Sequence, residues 1–365
     1  MYSTTVTNLQ QAFFEALREV MTNGDTVTVR EQETREIQTM VMQITNPAQR
    51  VICMPYRNNN IFATIAETLW VLAGRNDIAF LSKYLPRAKD FSDDNVVWRA
   101  GYGKRLRNFD TGSISMDDFV DQIKENIDLL NEDNTTRRAV MSIFDPSEDF
   151  VRWSKDVPCS NWIHTMIRHD KVNTTVAVRS NDVVWGMSGI NLFEWSVLME
   201  LFASSTDTKV GELHYLADSC HVYSRHYERA NKIIDNVIQH GLISMYEMGF
   251  GSTPITSRIN GDFDDFDNQL RFLLEAIDTN TLNATIVNEL EDTFLVECGW
   301  MLVLHKLLNA DKGVIDKVLT QMTHGGDFRV AALEYLHRQD NWKDLENFID
   351  ISKTEREFLE QFPHG

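Results

Sequence analysis

Two hydrophobic periods alternate along the chain and divide it into elements. From Leu9 to Met21 apolar side chains recur at helical spacing, which predicts an amphipathic helix that stops at Asn23-Gly24. The period then drops to that of a strand. Residues 26–30 and 37–44 are β-branched and partly alternating, which predicts two strands with Arg30 in the turn between them. Ile61, Ile65, Leu69 and Leu72 restore the helical spacing, with Glu67 inside that helix beside Trp70, and Gly74-Arg75-Asn76-Asp77 interrupts it before a second short helix.

Further along, Phe91-Ser92-Asp93-Asp94 reads as a polar loop and residues 116–131 as an amphipathic helix. Thr136-Arg137-Arg138 is a paired-arginine loop that leads into a strand. Residues 160–168 and 172–179 predict two strands joined by a turn at His169-Asp170-Lys171. Residues 192–204 have the spacing of a buried helix, and 211–223 that of a strand running into a helix. From about Phe266 onward Leu, Glu, Asp and Lys recur at helical spacing. The chain therefore divides into residues 1–260, where strands and helices mix, and a mostly helical extension over 261–365; no internal repeat is visible.

Composition narrows the functional classes. With 365 residues and 43% hydrophobic content the chain can bury a large core. A formal net charge of -19 argues against broad binding to nucleic acid or to an anionic membrane, so any anionic ligand needs a local arginine cluster. No apolar run approaches bilayer length and no leader pattern is present at the N-terminus, which points to a cytoplasmic protein. Cys53, Cys159, Cys220 and Cys298 lack both CxxC and metal-finger spacing, so reduced thiols are expected, one of them a candidate nucleophile.

Several local signals have ordinary explanations. Residues 262–267 (Asp-Phe-Asp-Asp-Phe-Asp) lack the glycine and distal glutamate of a calcium loop and read as a solvated acidic turn. His214, His221 and His226 have no completing ligand set, so no metal is expected. Gly186, Gly189 and the glycines near 249–251 do not form a phosphate loop. Taken alone, Glu67 reads as a carboxylate on a solvated helix face. The stretch from Pro158-Cys159-Ser160-Asn161 to Arg179-Ser180-Asn181-Asp182 stands apart, because it places a thiol close in sequence to an anion-binding group.

Across roughly residues 20 to 235 the sequence resembles the thymidylate synthase and pyrimidine hydroxymethylase superfamily. The resemblance is carried, in the family's order, by Arg30; Glu67 with Leu69-Trp70; Tyr102-Gly103; Arg137-Arg138; Pro158-Cys159; Arg179-Ser180-Asn181-Asp182; Gly186 and Asn191; and His221-Val222-Tyr223. The Arg179 and His221 motifs look particularly like those of phage deoxycytidylate hydroxymethylases and their relatives. It implies an α+β fold, a mixed sheet with helices packed on one face and dimerisation through the other, plus the helical C-terminal extension.

The resemblance also implies a chemistry. Cys159 would add to C6 of a pyrimidine nucleotide and make C5 nucleophilic toward the methylene of 5,10-methylenetetrahydrofolate, with nearby arginines favouring the thiolate. Glu67 would relay protons and orient water, and Tyr102 belongs to the same catalytic group. Arg30, Arg179 and Ser180, with Arg137 and Arg138 crossing from the second subunit of a homodimer, would grip the 5′-phosphate. His221 and Tyr223 would bind the sugar 3′-hydroxyl. Asp182, Trp98 and Gly186 would form the folate side.

Asn191 would read the base. An amide suits uracil N3–H and O4, although Gly186-Met187-Ser188-Gly189-Ile190-Asn191 is one residue longer than the synthase pattern. The absence of a synthase-like C-terminal tail and of the aromatic pair before Tyr102 favours water over hydride as the final nucleophile. Deoxyuridylate 5-hydroxymethylation is thus expected first, thymidylate synthesis second and deoxycytidylate hydroxymethylation third. A catalytically silent binding homologue is the alternative from another class.

Overall fold

The computed structural model describes residues 1–111, 119–154, 156–256, 263–339, 342 and 344–363. Ten strands are present among them: β1 (Tyr2–Val6), β2 (Asp25–Val29), β3 (Gln32–Ile44), β4 (Phe109–Asp110), β5 (Phe119–Val120), β6 (Val140–Ser142), β7 (Ser160–Arg168), β8 (Lys171–Val178), β9 (Asn181–Asp182) and β10 (Lys209–Tyr223). Eight of them form one mixed sheet in the order β1-β3-β10-β8-β7-β6, with β2 paired to β3 and β9 to β10. The fold is the mixed α and β architecture that the resemblance implies.

Helices before the extension are α1 (Leu9–Asn23), α2 (Ile61–Leu72), α3 (Ile78–Leu81), α4 (Tyr102–Arg107), α5 (Gln122–Glu132), α6 (Pro146–Asp149), α7 (Leu192–Ser205) and α8 (Tyr227–His240). The alternation in the long strands decides where the core lies. Leu213, Tyr215 and Ala217 of β10 and Val172, Thr174 and Val176 of β8 are buried, and α7 packs on both strands while α1 packs on β3 and β10. The intervening residues Val41, His164, Met166, Ala177 and Leu216 are only half-buried and Trp162 is exposed, so the opposite face is apolar but partly open.

Several sequence expectations change at this level. The helix expected over 116–131 begins at Gln122, because Asp121 caps it by accepting from Lys124 N; Phe119–Val120 pairs as a strand, and 116–118 lie outside the described residues. Of the expected acidic turn, Asp262 is outside the described residues, while Asp264, Asp265 and Asp267 belong to the first turns of helix α9 (Phe263–Asp278). Strand β1 and a nine-residue π-helix, Val183–Asn191, carry no sequence signal that announced them.

The extension continues with α10 (Ala284–Val287), α11 (Thr293–Lys306), α12 (Lys312–Leu319), α13 (Asp327–His337) and α14 (Lys353–Leu359). Helices α11 and α13 pack against α2. Buried polar contacts join the same parts: Arg107 Nη1 donates to Asp267 Oδ1 at 2.7 Å, and Asp327 accepts from Tyr246 Oη at 2.8 Å and Thr253 Oγ1 at 2.6 Å. No described helix is long and apolar enough to cross a membrane.

Candidate active site

Cys159 lies in the loop immediately before β7, half-buried, and backbone pairing anchors it: Arg179 N donates to Cys159 O at 2.9 Å. The Arg179 side chain closes the same loop. Its Nε donates to Pro158 O at 2.8 Å and its Nη2 to Val157 O at 3.0 Å, with Nη2 4.0 Å from Cys159 Sγ. Tyr102, at the start of α4, accepts from Ser160 N at 3.1 Å and stacks on Trp195 at 5.5 Å. Three elements therefore fix the thiol. Burial pushes the Cys159 thiol up; Arg179 and then Arg30 oppose that shift without overturning it. The arginines thus act in the expected direction, toward the thiolate, while desolvation is the larger effect in the free protein.

The solvated reading of Glu67 is also wrong. Every residue of α2 is buried, Glu67 included, and its Oε2 has no hydrogen-bond partner. Burial raises its pKa to about 8, so the carboxyl is poised to hold or release a proton near neutrality.

The Asn191 side of the site is built by the pairing of β9 with β10, which sets Asn181 opposite Cys220 and Asp182 opposite His221. Tyr215 Oη donates to Asn181 Oδ1 at 2.8 Å, and Asn181 Nδ2 donates to Asn191 Oδ1 at 3.1 Å. This directional chain orients the Asn191 amide, whose Nδ2 side also faces Glu194, leaving one Nδ2 hydrogen and a second lone pair on Oδ1 for a ligand. The π-helix that carries Asn191 takes up the extra residue relative to the synthase pattern, since a π-turn holds one residue more than an α-turn. Thr64 Oγ1 bonds Gly189 O, and Arg57 Nη2 donates to Ser188 Oγ at 2.9 Å, so α2 and the adjoining loop brace this segment. At Gly186 a Cβ would come within 3.1 Å of Asn181 Nδ2 and 3.3 Å of Asn191 Oδ1, which explains glycine there.

Asp182 caps the π-helix through Oδ1, accepting from Val184 N at 2.9 Å and Trp185 N at 3.3 Å. Its buried Oδ2 makes no hydrogen bond among the described residues and lies 3.7 Å from Arg225 Nη2. A buried acceptor of this kind fits a donor-bearing heterocycle such as a pterin. Trp98 is half-buried, donates Nε1–H to Ala88 O at 2.8 Å and lies edge-on to Trp70 and Phe91; Phe91 in turn contacts Trp185 of the π-helix at 4.5 Å. His221 is buried, with Nδ1 3.2 Å from Ser219 Oγ and its ring edge-on to Tyr223 at 5.1 Å.

The arginines divide into two groups. Arg30, at the tip of the β2–β3 hairpin with φ 49°, acts electrostatically on Cys159 and Tyr223, as Arg179 does on Cys159, and half-buried Ser180 adjoins Arg179. Arg137 and Arg138 are exposed in the loop before the edge strand β6, and neither is among the charges that act on Cys159.

One residue of this site escaped the sequence reading. Glu194 interrupts the run Leu192-Phe193-Glu194-Trp195, and the only available signal was a carboxylate inside a helix expected to be buried. It is 1% exposed, and among the described residues neither carboxylate oxygen has a hydrogen bond of good geometry, the Asn191 side chain alone approaching it.

A half-buried thiol flanked by arginine and tyrosine, with a proton-holding carboxyl and an oriented amide, forms a set of groups suited to covalent chemistry. The chain belongs to the thymidylate synthase family, whose family model matches residues 11–245. Among curated relatives, it is 34% identical over 232 residues to the deoxyuridylate hydroxymethyltransferase of Bacillus phage SP01, covering 62% of this chain and 60% of that protein. It is 31% identical over 239 residues to the deoxyuridylate hydroxymethyltransferase of Delftia phage PhiW-14, covering 62% of this chain and 64% of the relative. A thymidylate synthase of Francisella philomiragia is 25% identical over 185 residues, 47% of this chain and 65% of that enzyme. The chain thus spans less than two thirds of each of these relatives.

Proposed function

We propose that residues 1–260 carry a deoxyuridylate 5-hydroxymethylase activity, with 5,10-methylenetetrahydrofolate as the second substrate and the one-carbon source. The observation that carries this reading is the Tyr215–Asn181–Asn191 chain, which presents an amide to the base edge. Uracil O4 would accept from Asn191 Nδ2 and N3–H would donate to Oδ1, whereas cytosine would present a donor at position 4. The names of the more similar relatives favour the same product.

In this reading Cys159 adds to C6 and C5 becomes nucleophilic. Arg179 and Arg30 stabilise the thiolate as ligand binding proceeds. C5 takes up the one-carbon unit and loses its proton as tetrahydrofolate leaves from that carbon; water adds to the exocyclic methylene so formed, and Cys159 then departs from C6 as thiolate. Glu67 relays protons from its buried position. Arg30, Arg179 and Ser180 hold the phosphate, and His221 and Tyr223 the sugar. Asp182 and the aromatic wall of Trp98 and Phe91 would hold the folate, with Gly186 leaving room beside the amide pair.

The reading includes a homodimer. Exposed Arg137 and Arg138 would reach the neighbouring site, and the partly open apolar sheet face supports pairing through that surface. The test of function is the mass of the nucleotide product after incubation with the folate and either dUMP or dCMP. Hydroxymethyl-dUMP with tetrahydrofolate is expected. Thymidylate with dihydrofolate would replace this reading by reductive methylation, a hydroxymethyl product from dCMP alone would overturn the role of Asn191, and no turnover would favour a binding protein.

A further inference from the structure

Glu194 and Glu67 approach from two packed helices, α7 and α2, and three of their four carboxylate oxygens are buried without a hydrogen bond of good geometry among the described residues, a weak approach of the Asn191 side chain to Glu194 being the exception. A carboxylate on a buried helix face is costly unless it serves a polar ligand. The groups that face Glu194 are Glu67 from α2, Tyr102 from α4 and Tyr215 from β10, and the Asn191 side chain, one turn earlier, hydrogen-bonds toward it. No cation is among those that act on it. Ser160 Oγ, next to Cys159, and Trp195 Nε1, next to Glu194, are likewise buried without partners. Unmatched donors and acceptors thus gather around Cys159 on the side of α2 and α7.

We propose that Glu194 is a second carboxylate of the active site, which with Glu67 binds the water that attacks the exocyclic methylene and accepts its proton. This rests on the hydroxymethylase reading and deepens it. The water oxygen forms a bond to the methylene carbon while its proton passes to a carboxylate. The methylene π pair moves to C5 and is held as the C4 enolate. That enolate then re-forms C5=C6 and expels Cys159 as thiolate, so no oxidant or reductant is required. Two carboxyls in one dry pocket cannot both ionise readily, so the pair retains one proton and offers one acceptor, a suitable state for orienting a water. Burial first, and Glu67 second, push the Glu194 carboxyl well up, in agreement with that state.

The test compares wild type with Glu194→Gln in the presence of 2-mercaptoethanol, following release of tritium from C5 of dUMP and the masses of the nucleotide products. If Glu194 serves the water step, hydroxymethyl product falls on the order of a hundredfold while C5 tritium release stays within about threefold, and the methylene is captured as the thioether. Glu194→Ala should show the same split, and added formate should restore hydroxymethyl product, which a merely structural role would not allow. Proportional loss of tritium release and product without formate rescue, or unchanged hydroxymethyl output, would overturn the proposal. The wild-type product decides the underlying reading separately: thymidylate there would sink the hydroxymethylase assignment whatever the variants do.

Discussion

At Glu67 the chain places a carboxyl on a helix whose 12 residues are all buried, and the consequence is a proton held to about pH 8. An unfolded glutamate releases that proton near 4.5. The stability tied to this group is present in full below the unfolded pKa and is lost as pH rises through the folded value, because between the two the folded chain binds the additional proton. Glu67→Gln should therefore be more stable than wild type at about pH 8, by roughly 2–4 kcal/mol, and nearly equal to it near about pH 4.5. Thermal unfolding across that range measures the difference, and equal pH slopes for the two proteins would show that Glu67 is not desolvated. The same variant should lose activity on the order of a hundredfold or more. Asn191 gives a second test at this scale. With Asp in its place Asn181 Nδ2 still has an acceptor, so the fold should survive, while kcat/KM for dUMP falls by about a hundredfold and the ratio of dCMP to dUMP turnover rises. Competition assays with both nucleotides read this directly, and an unchanged preference would remove Asn191 from base recognition.

Among the elements, the π-helix has the largest consequence for the site. Its N-terminus is pinned by Asp182 and its C-terminus delivers Asn191, so the length between them sets where the amide stands. Gly186→Ala would press on the Asn181–Asn191 pair from within this segment. The expected outcome is about a tenfold loss in kcat/KM for the nucleotide with little change in thermal stability, since the strain falls on the amide pair and not on the core; kinetics and a melt on the same sample separate the two. This segment also shows where sequence reading stops. Strands β7 and β8 were legible because one side chain in two is buried, and α1 because its apolar stripe faces the sheet. The π-helix has the local preferences of an α-helix, and what braces it, Thr64 of α2 and Arg57 of the loop before α2, is distant in sequence. Strand β1 was hidden because only Val6 of its five residues is buried and its pairing to β3 is long-range. Cys159, Arg179 and Asn191 were singled out by motif order. Glu194 was not, because nothing local distinguishes a buried carboxylate that serves a ligand from one paired in the core, as Glu200 is with Arg50.

At the scale of the molecule, the unequal placement of the arginines has a direct consequence. Arg30 and Arg179 act on Cys159 within one chain, whereas Arg137 and Arg138 stand exposed before the edge strand β6 and are not among the charges that act on that thiol. If each site is completed by the neighbouring subunit, Cys159→Ala and an Arg137→Ala/Arg138→Ala double variant should each be inactive at a phosphate-limited substrate concentration. A mixed dimer of the two then contains one site with both the thiol and the arginine pair intact. Equal amounts of the two, unfolded and refolded together, should therefore regain roughly a quarter of wild-type activity, because half of the dimers are mixed and each has one whole site. The measurement is dUMP turnover before and after subunit exchange, with the oligomeric state followed by light scattering. Exchange into mixed dimers without recovered turnover would mean that the arginine pair acts within its own chain or outside the reaction, and the sheet face would lose its role in completing the site.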